Sequence, residues 1–196
     1  MVEGTNESNF FVYRGGYYGD QIGCRHRING VPTESVPREL RERIAAKINV
    51  QEYERLKKDE NYTDVEFNEQ TGGLKAIHID HQFDKIRGHY EKDAQNILFE
   101  NGYKTILSSE KGFESKHFEG YINGFKNEIK TILGNSPITI AKRINQSIEK
   151  GAEVCTIYFP NGNAEELLPK ALQYFTGTLP KLIIIDGDKI KRNDIK

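Results

Sequence analysis

The chain has 196 residues, 36% of them hydrophobic and 29% charged, and 28 Lys+Arg against 29 Asp+Glu leave a formal charge of -1. That is the size of one ordinary domain with a modest extension; the charge excludes a histone-like polycation but leaves room for a local basic face. No apolar run approaches the roughly 18 residues of a membrane-spanning helix, and Met1 to Asn9 is polar and acidic, unlike a secretory signal, so a cytosolic chain is expected. Cys24 and Cys155 form no CxxC, which favours a reducing compartment and excludes a Cys-rich zinc site.

Met1 to about Pro37 is rich in Gly, Tyr and Arg and has no sustained period, which predicts an irregular arm with one short strand or hairpin. Ser35 caps a helix that tolerates Pro37 in its first turn. Leu40, Ile44 and Ile48 line one face of it, and Val50, Tyr53 and Leu56 continue it beyond a break near Asn49. An acidic polar stretch from Lys58 to Asp64 and the Thr71-Gly72-Gly73 turn then mark the boundary between residues 1–70, an arm with a helical extension, and residues 71–196, an α/β domain. Tyr90, Ala94, Ile97 and Leu98 predict a helix ending at Gly102, followed by a strand from Tyr103 to Leu107. Asn123-Gly124 predicts a type I′ hairpin between Glu119 and Ile132. Ser136-Pro137 opens a helix through Ile140, Ile144 and Ile148 that stops at Gly151. A buried strand from Val154 to Phe159, a helix from Glu165 to Tyr174 and a strand from Leu182 to Ile185 complete the order. Strands alternating with helices in this way predict an α/β fold with a mixed central sheet and flanking helices.

The hairpin carries the chemistry. With Asn123 and Gly124 as the loop, Ile122 faces Phe125, Tyr121 faces Lys126, Gly120 faces Asn127 and Glu119 faces Glu128. Side chains alternate along a strand, so Glu119, Glu128 and Lys130 converge on one patch while Phe125, Ile129 and Thr131 turn to a core. Opposed like charges destabilise a sheet. A divalent cation removes that penalty, Mg²⁺ or Mn²⁺ suits carboxylate oxygens, and a neighbouring lysine orients a water or stabilises charge on a phosphate. The pattern points to metal-assisted phosphodiester hydrolysis; the alternative is a solvated sheet face in which Lys130 neutralises two acids.

Other groupings compete. His78-Ile-Asp-His81-Gln-Phe-Asp84, with His89, could ligate zinc, or His78 and His81 could cleave RNA as base and acid without metal; a third role is to grip substrate at the site's edge. Residues 111–150 hold seven Lys/Arg against four Asp/Glu, a net +3, with Lys111, Lys116, Lys126, Lys142, Arg143 and Lys150 suited to a polyanion. Lys142, Arg143 and Lys126, with His81 and His78, are the candidate substrate-binding residues. The aromatics from Phe10 to Tyr18 either stack on bases or pack on a partner, and Gly15 to Gly19 lacks the context of a phosphate loop.

The hairpin Glu119…Glu128-Ile129-Lys130, the preceding helix from Tyr90 to Tyr103 and the following helix and strand resemble the PD-(D/E)XK nuclease core, a restriction-endonuclease-like αβββαβ arrangement. In particular they resemble the C-terminal tRNA-nuclease domains of CdiA-type contact-dependent inhibition toxins. The run from Gly72 to Lys85 with Gly88-His-Tyr-Glu91 is similar to versions appended to phage minor head proteins of the Mu F type, as are Gly23 to Arg27 and the Pro37 helix. The resemblance, over about residues 72 to 190, implies Glu119 and Glu128 as metal ligands and Lys130 as the catalytic lysine. It further implies Glu91 as an additional acid and Gln146 as an active-site neighbour. Phe118-Glu119 stands where the family usually has Pro-Asp. It also implies transfer RNA as substrate, an acidic immunity partner on the basic face, and delivery to a bacterial cytoplasm by a toxin or phage-head context. The opposing expectation is a non-catalytic accessory module of a virion or secretion system that keeps the fold.

Overall fold

The structure, a computed structural model, describes residues 38–112 and 117–195. The expected N-terminal arm, Cys24, the Ser35 and Pro37 cap and Lys116 lie outside the described residues. The chain divides into two compact units, Met1–Ala45 and Ala46–Lys196, and the sheet and its site belong to the second.

Helix α1 (Arg38–Lys57) runs without the expected break at Asn49. Asparagine interrupts helices when its side chain competes for the local backbone; here Asn49 is buried and its Nδ2 donates to the Gly72 carbonyl at 2.7 Å, so the competition is absent. After α1 come β1 (Tyr62–Phe67), β2 (Leu74–His78), α2 (Gly88–Glu100), β3 (Lys104–Leu107), β4 (Gly120–Ile122), β5 (Phe125–Thr131), α3 (Pro137–Glu149), β6 (Val154–Phe159), α4 (Ala164–Gln173), β7 (Lys181–Asp186) and β8 (Lys189–Asn193). The order from α2 to β7 is the predicted one. Among the described residues the fold is a mixed α/β architecture with eight strands in one sheet, in sequential order from β1 to β8. Pairs β2/β3, β5/β6 and β6/β7 are parallel and the others antiparallel.

Three strands escaped the sequence reading. β1 and β8 are the sheet's edges and carry charge, as edges do when they resist pairing with other chains. β1 is interrupted by a register shift between Thr63 and Glu66, with Asp64 at φ 49°, and β8 pairs with β7 across a second shift. β2 is only five residues long and lies beyond the glycine pair taken as a boundary.

The sheet is covered on both faces. On one, Ile77, Leu107, Ile122, Ile129, Val154 and Ile183 pack with Ala94 and Leu98 of α2. On the other, Leu74, Ala76 and Ile106 pack with Leu56 of α1, and Cys155, Ile157, Leu182 and Ile184 pack with α3 and α4. Between these last two clusters run β4 and β5. Their turn is the predicted one, with Asn123 at φ 48° and Gly124 at φ 89°, and the pairings Ile122–Phe125, Tyr121–Lys126 and Gly120–Asn127 are those counted from the sequence.

Gly120 is required by close approach. A Cβ there would meet the Ile106 carbonyl oxygen and the Leu107 Cα, both backbone atoms of β3, which cannot rotate aside. Gly120→Ala is expected to destabilise the fold by about 2 kcal/mol or more, the scale of overpacking. A urea midpoint that falls at constant slope would show it; an unchanged midpoint would mean that β3 and β4 separate freely.

Candidate active site

Glu119 stands immediately before β4, and Glu128 and Lys130 lie on β5, on one face of the sheet. The two acids do not merely oppose each other. The Glu119 N–H donates to Glu128 Oε2 at 3.1 Å, and the Ile129 N–H donates to Glu119 Oε2 at 2.8 Å. Carboxylates thus take the place of backbone carbonyls at this end of the β4–β5 ladder. This is a folding reason for the acids that the sequence did not disclose.

Glu128 is 0% exposed, and its other oxygen, Oε1, accepts from Lys130 Nζ and, at 2.5 Å, from Lys150 Nζ. Glu119 Oε1 lies 3.9 Å from each of the same two ammonium groups. Two carboxylates and two lysines therefore share one small volume. Lys150 had been read as part of a basic surface; the structure places it in the centre, brought there by the C-terminal end of α3. The signal was present in the glycine stop at Gly151, which fixes where α3 ends, but strand and helix could not be docked from sequence.

Burial raises the Glu119 carboxyl well above its usual range, and the neighbouring charges of Glu91 and Glu128 push it further in the same direction. Burial opposes the charge on Lys150, but its bond to Glu128 and the charge of Glu119 outweigh that and raise its pKa. Cys155, the register neighbour of Glu128, is bonded to Ser147 Oγ at 3.1 Å, and burial pushes its thiol up to about 12, so it is no nucleophile.

Glu91, on the first turn of α2, accepts from His81 Nε2 at 2.8 Å, while His81 Nδ1 lies 3.0 Å from the Ser108 carbonyl and 3.5 Å from Glu110. Sequence had set Glu91 and His81 in separate roles; the structure joins them and adds Glu110. The His81 side chain is 0% exposed. His78 has different surroundings: its Nδ1 accepts from the Asp80 N–H at 3.1 Å and its ring meets Tyr62 edge-on. Asp80 in turn pairs with Lys111.

Arg143, Gln146 and Lys150 lie along one side of α3, at i, i+3 and i+7. Arg143 Nη1 donates to Gln146 Oε1 at 3.4 Å, so the contact the structure gives Gln146 is with Arg143. Lys142 is exposed on the same helix. Lys126 is exposed on β5, its Nζ 5.6 Å from the Phe118 ring.

Among the described residues no three His, Cys, Asp or Glu side chains form a closed metal cage. Mg²⁺ does not need one: it is commonly bound through one or two carboxylates, with waters and substrate phosphate completing the shell. Glu119 Oε1 and Glu128 Oε1 fit that pattern, in competition with two ammonium groups. Among the described residues no helix is long and apolar enough to cross a membrane.

No family model matches the chain, and no curated protein matches it. Among solved structures, a "CdiA-CT/CdiI toxin and immunity complex from Burkholderia pseudomallei" is similar over 59% of this chain and 96% of that one, at 17% identity and a TM-score of 0.46. Likeness at that level brings no function with it.

Burial lowers the His81 pKa, but the bond to Glu91, the Ser108 carbonyl and the charge of Glu110 outweigh it and raise it above 6.5. A raised folded value means that protonated His81 stabilises the fold fully below 6.5 and that this contribution is lost as pH climbs through the folded value. The stability difference between the wild type and His81→Gln is therefore expected to be largest on the acid side and to narrow toward alkaline pH. Denaturant melts across that range check it; a difference that widens with pH would have the wrong sign.

Proposed function

We propose that this chain is a metal-dependent endonuclease that hydrolyses RNA phosphodiesters, with Glu119, Glu128, Lys130 and Lys150 as its centre. The observation that carries the reading is the packing of two carboxylates and two lysines on adjacent strands and one helix end. Two acids and two lysines balance in charge, but buried ion pairs are poor stabilisers relative to apolar packing, so stability alone does not call for four charged groups in one place. Carboxylates able to hold a divalent ion and lysines able to face a phosphate are the parts from which a phosphoryl-transfer site is built.

A divalent ion held by Glu119 and Glu128 would supply Lewis-acid stabilisation of the phosphoryl oxygens and a more acidic bound water. The protein's own groups do the rest. Lys130 and Lys150 present positive charge where negative charge grows on the phosphate as water attacks phosphorus and the bond to the leaving oxygen breaks. Glu91, held by His81, sets the field at Glu119 from the α2 side. Arg143 lies about 10 Å from Lys150 along the helix axis, by the rise of 1.5 Å per residue, and is placed to hold a neighbouring phosphate. Lys126 and Lys142 extend the positive surface.

Transfer RNA is the substrate suggested by the family resemblance, and the bacterial cytoplasm is where such a substrate is met. An acidic inhibitor protein suits the same basic face. The His78 and His81 alternative gains no support from the geometry, because His81 is buried with both nitrogens engaged. The phage-head or delivery context rests on the resemblance of the run from Gly72 to Glu91 and of the N-terminal arm, and the arm up to residue 37 lies outside the described residues.

The test is incubation with transfer RNA in Mg²⁺ or Mn²⁺ and in excess chelator. Cleavage is expected only with metal, and Glu128→Ala or Lys130→Ala should lower it by at least about 10²-fold, the scale of removing one electrostatic contact from a transition state. Absence of cleavage under every condition would favour an accessory module; cleavage that survives chelator and needs His81 would favour the histidine mechanism.

A further inference from the structure

The acids and lysines occupy one end of the β4–β5 ladder. At the other end of the same face stand Tyr121 and Lys126, directly opposed across the two strands. Residues two apart on a strand share a face, so Glu119, Tyr121, Lys126, Glu128 and Lys130 project together, with Tyr121 about 7 Å along the strand from Glu119. Their flanks on this face are apolar and covered: Ile106, the register partner of Tyr121 on β3, packs with Leu56, and Cys155, the partner of Glu128 on β6, packs in the α3–α4 cluster. Tyr121 itself is 39% exposed, although it lies on an inner strand of an eight-stranded sheet. An inner-strand aromatic ordinarily pays for its place by burial.

Tyr121 is also held. The Phe118 ring meets it edge-on with centroids 5.3 Å apart, and Lys126 Nζ stands over Phe118. A fixed, exposed ring, a lysine beside it and a phosphate-type site one pleat away form the combination that single-stranded nucleic-acid binders use: bases stack on aromatics while cations follow the backbone.

We propose that Tyr121 is the platform on which a base of the single-stranded RNA substrate stacks, with Lys126 taking a phosphate of the same stretch. This rests on the nuclease reading above for its substrate, but it makes a separate claim about a separate residue. Lys126, exposed and directly opposite the ring across the strands, favours a polyanion over a protein as the occupant.

The chain contains no tryptophan, so Tyr121→Trp places a lone indole at the proposed platform. In a Glu128→Gln background that prevents cutting, with folding checked by circular dichroism, its fluorescence should be quenched by a short unstructured RNA. The same strand with abasic sugars should quench it several-fold less. Equal quenching by both strands, or none by either, overturns the proposal whether or not the chain proves to be a nuclease. In the cleaving protein, Tyr121→Ala should raise KM about tenfold, the scale of one lost base stack, while kcat moves less than about threefold, and Tyr121→Phe should restore KM. A Tyr121→Ala protein with the wild-type KM would also overturn it. Loss of all cleavage in the wild type would sink the nuclease reading alone, since the quenching experiment decides the platform by itself.

Discussion

A carboxylate with no exposure to water organises this molecule. Glu128 would cost several kcal/mol if left unpaired, so its surroundings must supply hydrogen bonds and positive charge. They come from three elements: the Glu119 N–H at the start of β4, Lys130 on its own strand and Lys150 from the end of α3. One side chain thereby fixes the rung of the hairpin, the exit of α3 and the position of a second acid. Because two lysines share it, loss of either leaves the charge still partnered, which is what a site must allow if one ammonium is to turn toward a phosphate.

Two further acids, Glu91 and Glu110, act on this cluster. Glu119 meets the fields of Glu91 and Glu128, and Glu110 sits close enough to both His81 and Lys150 to act on them. His81 joins Glu91 and the Ser108 carbonyl, linking the N-terminus of α2 to the end of β3. α2 covers one face of the sheet while its first turn reaches the rim where Glu119 begins β4. The sheet is thus a floor on one face and a brace on the other.

Much of this was legible in the chain. Asn123-Gly124 determines a two-residue turn, and with it every pairing of the hairpin and the shared face of Glu119, Glu128 and Lys130, because register follows from turn length alone. Regular spacings of isoleucine in α3 and continuous apolar runs in β6 and β7 disclosed the αβ alternation. The edge strands were hidden because their charge and register shifts erase the period-2 signal. Lys150 and Glu110 were hidden for another reason: their partners lie 22 and 29 residues away, a juxtaposition that depends on how α3 and the loop after β3 dock. Asn49 misled because its partner, Gly72, is equally remote.

The claim that a divalent ion competes with two lysines for Glu119 and Glu128 is tested most directly by titrating Mn²⁺ and following the free-ion electron paramagnetic resonance signal. Wild-type protein is expected to take up Mn²⁺, Glu128→Gln to bind it more than about tenfold more weakly, and Lys150→Met to bind it more tightly, because Glu128 Oε1 loses one competing cation. Equal uptake by all three proteins, or weaker uptake by Lys150→Met, would contradict a metal site at this pair of carboxylates.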